Sequence, residues 1–139
     1  MRFLIAVLAL AGAVVSGLAL QVHYSTATEP CSINARWDCG VVNHSPFAMM
    51  GRVPVAAIGI AGYLVLAGLA LARRRFLLLL AVFAGFCFAL RLTFIEEYVL
   101  EVWCLYCVIS QSLISIMLLA SVGWLGAEYR ALQRGRRAI

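Results

Sequence analysis

Charged residues are scarce in this chain, and their scarcity excludes an ordinary soluble domain. Only 12% of the 139 residues are Asp, Glu, Lys or Arg, whereas 65% are hydrophobic. A soluble globular domain carries about twice that share of charge. The apolar runs leave one long connection, residues 21–52, which is too short for a separate soluble domain. The composition therefore predicts a membrane protein with a single domain, residues 1–139.

Long apolar runs are what the chain has instead. Residues 3–20, 53–72, 76–95 and 104–125 each approach the roughly 20 residues that cross a hydrocarbon core. They predict an all-α, integral membrane four-helix bundle with an outer loop or short helix at residues 21–52 and a basic tail at 126–139. Arg2 followed by the first run also fits a signal peptide, but the run exceeds the usual apolar core of about 7–15 residues, which favours a span.

The few charges are sorted by side. Eight of the eleven arginines fall in three segments that an even number of crossings places on one face. These are Arg2, then Arg73, Arg74 and Arg75, then Arg130, Arg134, Arg136 and Arg137. The opposite face collects five of the six acids: Glu29, Asp38, Glu96, Glu97 and Glu101. The positive-inside rule predicts an inner-membrane protein with both termini in the cytoplasm and the long loop in the periplasm. The basic tail then faces anionic membrane lipid, and no nucleic-acid partner is predicted.

Four of the five cysteines fall on the predicted outer face, which is the oxidising side. Cys31 and Cys39 lie in the loop, and Cys104 and Cys107 belong to "WCLYC" where the fourth span begins. A C-x-x-C motif at a helix start favours thiolate, and its i and i+3 positions share a face. The motif therefore predicts a redox pair. Cys87, in the middle of span three, is interpreted as a structural thiol.

Two features of these cysteines leave alternatives open. Seven residues, several of them polar, separate Cys31 from Cys39, so this pair fits either a mobile exchange pair or a static structural disulfide. The fourth span places Cys104, Cys107, Gln111 and Ser115 within one quarter of its surface. Such a polar stripe indicates either a pocket for a lipid-soluble ligand with carbonyl oxygens or hydrogen bonding between helices.

Histidine is nearly absent, which bears on metal and haem sites. His23 and His44 both lie in the outer segment, whereas a b-type haem needs axial ligands within the spans. Val108 follows Cys107, which excludes the C-x-x-C-H motif of c-type haem. The long spacing of the loop pair fits a zinc clip poorly. No metal is therefore predicted.

Three segments together resemble the vitamin K epoxide reductase family in its bacterial single-domain form. They are Cys31-x7-Cys39 in the first outer loop, "NHSPFAMMGRVPVAAIG" at residues 43–59, and "WCLYC" at the fourth span. The likeness covers nearly the whole chain. A similar bacterial disulfide-forming quinone reductase also has four spans and two cysteine pairs, but it carries C-x-x-C in its first outer loop, the reverse order.

The resemblance implies a membrane oxidoreductase that drives disulfide formation in exported proteins. Cys107 would face a quinone, either ubiquinone or menaquinone, and Cys104 would exchange with Cys39. Cys31 would exchange with a thioredoxin-fold partner, expected as a separate chain because the fused domain of many members is lacking here. Electrons would run from the partner to Cys31 and Cys39, then to Cys104 and Cys107, and on to the quinone, in agreement with quinone-linked oxidation in the periplasm.

The resemblance also implies where the quinone is held. Vertebrate relatives hold its carbonyls with an asparagine near the start of span two and a tyrosine one turn after the C-x-x-C, where this chain has Phe47 and Gln111. Gln111 can donate a hydrogen bond, whereas Phe47 cannot, so the second carbonyl would rely on Ser45, Asn43 or backbone. Arg91 either snorkels to the surface beside Glu96 or Glu97 or anchors an anionic quinol. The predicted quinone-binding residues are Ser45, Phe47, Arg91, Gln111 and Ser115.

One function of a different class competes with this prediction. The chain would then be a non-enzymatic membrane scaffold whose two disulfides only staple its outer face. Redox transfer through the four cysteines separates the two interpretations.

Overall fold

The computed structural model describes residues 1–26 and 31–139, so the predicted loop positions Glu29 and Pro30 lie outside the described residues. Helices make up 79% of the described chain, which confirms the all-α class. The described α-helices are α1 (Arg2–Tyr24), α2 (Cys39–Asn43), α3 (Val55–Leu71), α4 (Arg75–Ile95) and α5 (Leu105–Arg137). A 3-10 turn at Pro46–Ala48 precedes α3, and a π-helical turn at Glu96–Leu100 follows α4.

The bounds of α1, α3 and α4 lie within a few residues of the apolar runs, since each run ends at residues that interrupt a helix. Pro54 caps the start of α3 with φ −61°, where its missing N–H is not needed. Arg73 adopts a left-handed φ of 58° and reverses the chain, so that α4 begins two residues later at Arg75. The arginine-rich turn is therefore a tight corner between two apolar helices.

Helix α5 is much longer than the predicted span at 104–125. It runs for 33 residues to Arg137, which is about 50 Å, whereas a bilayer core is about 30 Å thick. Residues 126–139 contain no proline, and three arginines in the last turn complement the helix dipole. An ion pair between Arg75 and Glu128, and the Arg75 guanidinium 5.1 Å from the centre of the Trp124 ring, fasten α5 to the start of α4. The predicted basic tail is therefore a continuation of the helix.

Within the described residues, three helices are long and apolar enough to cross a membrane. These are α1, α4 together with its π-helical turn, and α5. Helix α3 is also apolar but has 17 residues. Large apolar side chains such as Phe3, Val7 and Leu119 are exposed on the outer helix faces, an arrangement that suits lipid rather than water. These features indicate a membrane protein.

The core lies between the long helices, with α1 packed against α3 and α5, and α4 packed against α5. Its fully buried side chains include Ile5, Ala9, Ala70, Leu78, Val82 and Met117. Glycines permit the closest approach of α1 to α3: a Cβ at Gly12 would clash with the Tyr63 ring, and one at Gly59 would lie 2.8 Å from Ser16 Oγ. Since α1 supplies part of this core, the first apolar run is a helix of the bundle.

The segment after α1 covers one end of the bundle. His23 Nδ1, in the last turn of α1, donates to the Asn43 carbonyl oxygen at 2.6 Å and so ties α2 to α1. A two-stranded hairpin pairs β1 (Met49–Met50) with β2 (Val53–Pro54) and turns at Gly51, whose φ of 64° suits glycine. The hairpin leads the chain directly into α3.

Candidate redox site

Three of the four predicted redox cysteines lie in one buried cluster at the covered end of the bundle. Cys31 and Cys39 form a disulfide with their Cα atoms 5.8 Å apart, whereas Cys104 and Cys107 are free thiols. Cys39 and Cys104 are both 0% exposed and share the cluster with Val22 and Cys31. Cys107 is partly buried and packs against the same cluster. The two pairs that the sequence separates by more than sixty residues are therefore neighbours.

Asp38 positions Cys39 at the start of α2. Its Oδ1 caps the helix by accepting from the backbone nitrogens of Gly40 at 2.8 Å and Val41 at 3.2 Å. The same oxygen accepts from Ser32 Oγ at 2.9 Å, next to Cys31 in the sequence. The Ser32 hydrogen bond, helped by these backbone N–H groups, lowers the pKa of Asp38 below 3.8. An ionised Asp38 thus links both ends of the loop disulfide.

Asn43 connects the two cysteine pairs. Its side-chain Nδ2 donates to the Cys39 carbonyl oxygen at 2.9 Å and to the Cys104 sulfur at 3.6 Å. The residue is itself buried, and its backbone carbonyl holds His23 of α1. A single amide therefore fixes the loop cysteine and the C-x-x-C cysteine relative to each other.

The loop docks on the C-x-x-C segment through an arrangement that we call the docking clamp, formed by Arg36, Trp37, Glu97 and Trp103. Two backbone hydrogen bonds make a parallel bridge: Trp103 N donates to Arg36 O at 2.7 Å, and Asp38 N donates to Trp103 O at 3.0 Å. The Trp103 indole donates to Glu97 Oε2 at 2.9 Å, and Arg36 lies 3.5 Å from the same oxygen. Trp37 and Trp103, whose ring centres lie 6.0 Å apart, thus hold the loop together.

The C-x-x-C motif occupies the start of α5. Cys104 is the N-cap residue and Cys107 lies in the first turn, so the predicted position at a helix start agrees with the structure. Glu96, in the π-helical turn, is only 2% exposed and its Oε2 accepts from the backbone nitrogen of Cys104 at 3.1 Å. Unpaired N–H groups and the helix dipole favour negative charge at this end of α5.

A cavity of about 440 Å³ opens beside Cys107. This volume falls within the range of small-molecule sites, about 300–1,000 Å³. Most of its wall is apolar and comes from α1, α3, α4, the first turns of α5 and the outer segment. The polar or titratable side chains on the wall are Ser16, His23, Asn43, Ser45, Tyr63, Thr93, Glu96, Tyr106, Cys107 and Ser110. The arrangement suits an apolar ring with a few polar atoms, next to a thiol.

A sequence model of the vitamin K epoxide reductase family matches residues 3–122. The chain belongs to the vitamin K epoxide reductase family. The matched region contains both cysteine pairs and the residues that dock the loop. No curated protein matches the chain at a significant level. Membership, together with the disulfide and the adjacent thiols, identifies a membrane oxidoreductase that works through cysteines.

The cavity receives only some of the predicted quinone-binding residues. Ser45 and Phe47 line it, and Ser45 Oγ also donates to the Val42 carbonyl oxygen at 2.7 Å. Gln111 and Ser115 lie outside the lining, where Ser115 Oγ donates to the Gln111 carbonyl oxygen at 2.6 Å. The wall contributed by α5 is Tyr106, Cys107, Ser110 and Ile114, so the helix is turned by about a quarter from the predicted stripe.

Arg91 is also absent from the cavity lining. It is exposed on α4, and among the described residues it makes no ion pair with Glu96 or Glu97. Glu96 instead accepts a hydrogen bond from Cys104, and Glu97 accepts one from Trp103 within the docking clamp. Cys87, the predicted structural thiol, is exposed on α4 and takes no part in the site.

Several wall residues carry little signal in the sequence. Tyr63 is buried in α3 and its hydroxyl binds Ser110, at 2.7 Å to Oγ and 3.0 Å to the carbonyl oxygen. Glu96 ends an apolar run eight residues before Cys104, and an acid in that position is the one available sign of a buried carboxyl at the site. Among residues 1–26 and 31–139, no group of three or more His, Cys, Asp or Glu side chains is arranged to hold a metal.

Proposed function

We propose that this family member oxidises the dithiol of a separate thioredoxin-fold protein and passes two electrons through its cysteine pairs to a quinone. The observation that carries the proposal is that Cys39 and Cys104 are buried in one cluster while Cys107 lies on the cavity wall. This proximity supports exchange between Cys39 and Cys104 and transfer from Cys107 to an acceptor in the cavity. The oxidised partner would form disulfides in exported proteins.

The relay is balanced at each step. The partner's dithiol reduces the Cys31–Cys39 disulfide and leaves as a disulfide. Cys39 thiolate then attacks Cys104 in the Cys104–Cys107 disulfide and releases the Cys107 thiolate. Cys31 thiolate attacks Cys39 in the resulting Cys39–Cys104 bond, re-forms the loop disulfide and releases the Cys104 thiolate. The Cys104 and Cys107 dithiol finally gives two electrons and two protons to the quinone and closes as a disulfide.

The observed pairing matches one intermediate of this relay. Cys31 and Cys39 form a disulfide, and Cys104 and Cys107 are free thiols. In the relay this form follows the transfer of electrons from the loop pair to the C-x-x-C pair. The next step is oxidation of Cys104 and Cys107 at the cavity. Cys31 is only 3% exposed in this form, so the partner's attack requires the docking clamp to release the loop.

The cavity supports a quinone by its size and lining. A bound quinone supplies a two-electron, two-proton acceptor. The Tyr106 hydroxyl is a donor for a carbonyl oxygen near Cys107, and Phe47 adds an apolar wall. Ser45 or Asn43 would serve as a donor only by giving up a hydrogen bond that it makes within the protein. Small residues of α3 and α4, including Gly62, Ala84 and Gly85, leave room for an isoprenoid tail. Both ubiquinone and menaquinone meet this description.

We also propose that α3 makes a fourth crossing, which places both termini in the cytoplasm of the inner membrane and the redox site in the periplasm. Seventeen residues rise about 25 Å, and β2 adds length at the outer end. Arg75 at the start of α4 pairs with Glu128 far along α5, so the arginine-rich segments share the end opposite the cysteines. Cysteine introduced by Glu101→Cys should react with an impermeant maleimide in intact cells, and Gln133→Cys only after lysis; the reverse pattern would contradict this topology.

Purified protein tests the function directly. A reduced thioredoxin-fold protein should be oxidised with the loss of one quinone per disulfide formed. Cys107→Ala should abolish quinone reduction but retain partner binding, whereas Cys31→Ala should prevent the mixed disulfide with the partner. Cys87→Ala is the matched control and should behave as the wild type. If the fully oxidised protein accepts electrons from no dithiol, the scaffold interpretation holds instead.

A further inference from the structure

Glu96 is a buried carboxyl group that lies beside the C-x-x-C motif and on the wall of the cavity. Its Oε2 accepts from the Cys104 backbone nitrogen at 3.1 Å, and Cys107 lies in the first turn of the helix that begins there. Its Oε1 is buried and has no hydrogen-bond partner among the described residues. Glu96 also lines the cavity. The free oxygen is therefore available to a group that the protein itself does not supply.

A purely structural role accounts for only one of the two oxygens. Accepting the Cys104 N–H caps the start of α5, and a neutral side chain does this equally well. A second buried oxygen without a partner costs about 1–3 kcal/mol. Loop docking is already served by the neighbouring Glu97, which turns outward to Trp103 and Arg36. The geometry thus favours a chemical task for Glu96.

The reaction at this point has protons to move. Oxidation of Cys104 and Cys107 releases two electrons and two protons, and the quinone takes up both. The cavity wall is mostly apolar, and an isolated charge in such surroundings is costly, so the protons must travel with the electrons. A group that binds and releases a proton beside both sulfurs meets this need.

We propose, on the basis of the proposed function, that Glu96 is the proton carrier between the dithiol and the quinone. Its carboxylate accepts the thiol proton of Cys107 and transfers it to a quinone oxygen. It then carries the proton of Cys104 in the same way and returns to the carboxylate. The sulfurs supply both electrons and form the Cys104–Cys107 bond.

The other titratable groups near Glu96 are less suited to this task. Cys104 and Cys107 of α5 are the proton donors themselves. On the cavity wall, the Tyr63 hydroxyl is bound to Ser110 and His23 Nδ1 is bound to the Asn43 carbonyl oxygen. Tyr106 also lines the cavity, but among the described lining residues Glu96 is the one carboxyl group.

Glu96→Gln removes the group that carries a proton but keeps the hydrogen bond at the start of α5, because an amide oxygen still accepts the Cys104 N–H. We expect this variant to reduce quinone about 100-fold more slowly in a single turnover, the lower end of the usual gain from general acid–base catalysis. Reduction of the Cys31–Cys39 disulfide by a dithiol should keep its wild-type rate. Glu101→Gln, which removes an exposed acid from the same face, is the matched control, and Glu96→Asp should recover part of the rate.

A measurement without quinone separates this inference from the proposed function. The rate at which a small neutral maleimide alkylates Cys107, followed by peptide mass spectrometry, falls with pH in every variant because the thiolate is the reactive form. The wild type and Glu96→Asp should show a second inflection where the carboxyl group binds a proton, whereas Glu96→Gln should show the titration of the thiol alone. Quinone reduction by Glu96→Gln at the wild-type rate, or an unchanged alkylation profile, would overturn the inference. A wild type that alkylates as expected but never reduces quinone would refute the proposed function instead.

Discussion

The side-chain amide nitrogen of Asn43 lies 3.6 Å from the sulfur of Cys104. The same nitrogen donates to the Cys39 carbonyl oxygen at 2.9 Å, so one side chain spans the boundary across which the proposed relay would move the disulfide. A sulfur that changes from disulfide to thiolate next to this donor gains a hydrogen bond. Asn43 therefore couples the loop pair to the C-x-x-C pair.

Asn43→Ala should slow exchange between the pairs. Loss of a hydrogen bond to a charged group costs about 1.5–3 kcal/mol, and 1.36 kcal/mol corresponds to a tenfold change in rate, so we expect at least a tenfold loss. The measurement starts from protein with both disulfides formed, adds a dithiol, and follows each pair by rapid alkylation and mass spectrometry. Ser112→Ala, on the exposed side of α5, is the control. Equal exchange rates in the two variants would remove Asn43 from the relay.

The docking clamp should control access to the loop disulfide. Trp103→Phe removes the indole N–H that donates to Glu97 at 2.9 Å and leaves the backbone bridge in place. We expect a small dithiol to reduce Cys31–Cys39 several-fold faster in this variant, because the loop opens more often. Trp124→Phe, more than twenty residues from Trp103 along the chain and in contact with Arg75, should leave that rate unchanged. Slower or unchanged reduction in Trp103→Phe would mean that the clamp does not gate the partner's attack.

Gly12 and Gly17 form a matched pair of substitutions on α1. Alanine at Gly12 meets the Tyr63 ring, whereas alanine at Gly17 has no described atom within 4 Å. Gly12→Ala should lower the free energy of unfolding by about 1–3 kcal/mol, as overpacking does. Gly17→Ala should be neutral or stabilise α1 by about 0.5–1 kcal/mol. Thermal unfolding in detergent compares the two, and a stable Gly12→Ala protein would show that α1 and α3 pack less closely than described.

Asp38 should make the loop sensitive to acid. Its pKa is lowered in the folded protein, chiefly by the Ser32 hydrogen bond, so its contribution to stability is present above about pH 3.8 and is lost as the pH falls below that value. Asp38→Asn should therefore unfold at lower temperature than the wild type at pH 7. The difference should shrink below pH 4. If the difference in unfolding temperature persisted below pH 4, the effect of the substitution would come from a change in side-chain packing rather than from the loss of charge.

The sequence predicts most of the helices but not their rotation. Apolar runs locate α1, α3 and α4 because lipid and core both demand apolar residues, and few charges interrupt them. Because apolar residues occur on all sides of these helices, the sequence does not indicate which face of α5 lines the cavity. That face is set by the Tyr63 hydroxyl on Ser110 and by the cap at Cys104, which are contacts between distant segments. Gln111 and Ser115 consequently fall beside the predicted pocket rather than in it.

The candidate site is predicted in part for a related reason. Spacing and charge indicate the four redox cysteines and the shared face, since the motif and the sidedness are local properties. Glu96 and Glu97 are adjacent in the sequence, but in the π-helical turn Glu96 is buried against Cys104, whereas Glu97 contacts Trp103 and Arg36. Periodicity of 3.6 residues per turn does not anticipate a turn with an inserted residue. The roles of Glu96 and of the docking clamp therefore come from the structure.

Formation of a Cys39–Cys104 disulfide is the most direct test of the relay. In the double variant Cys31→Ser and Cys107→Ser, Cys39 and Cys104 remain in the same buried cluster, and mild oxidation should join them nearly completely. In the double variant Cys31→Ser and Cys104→Ser, the Cys39–Cys107 bond should form far more slowly. Peptide mass spectrometry distinguishes the two products. Absence of the Cys39–Cys104 bond, or equal yields from both variants, would contradict transfer of the disulfide from one pair to the other.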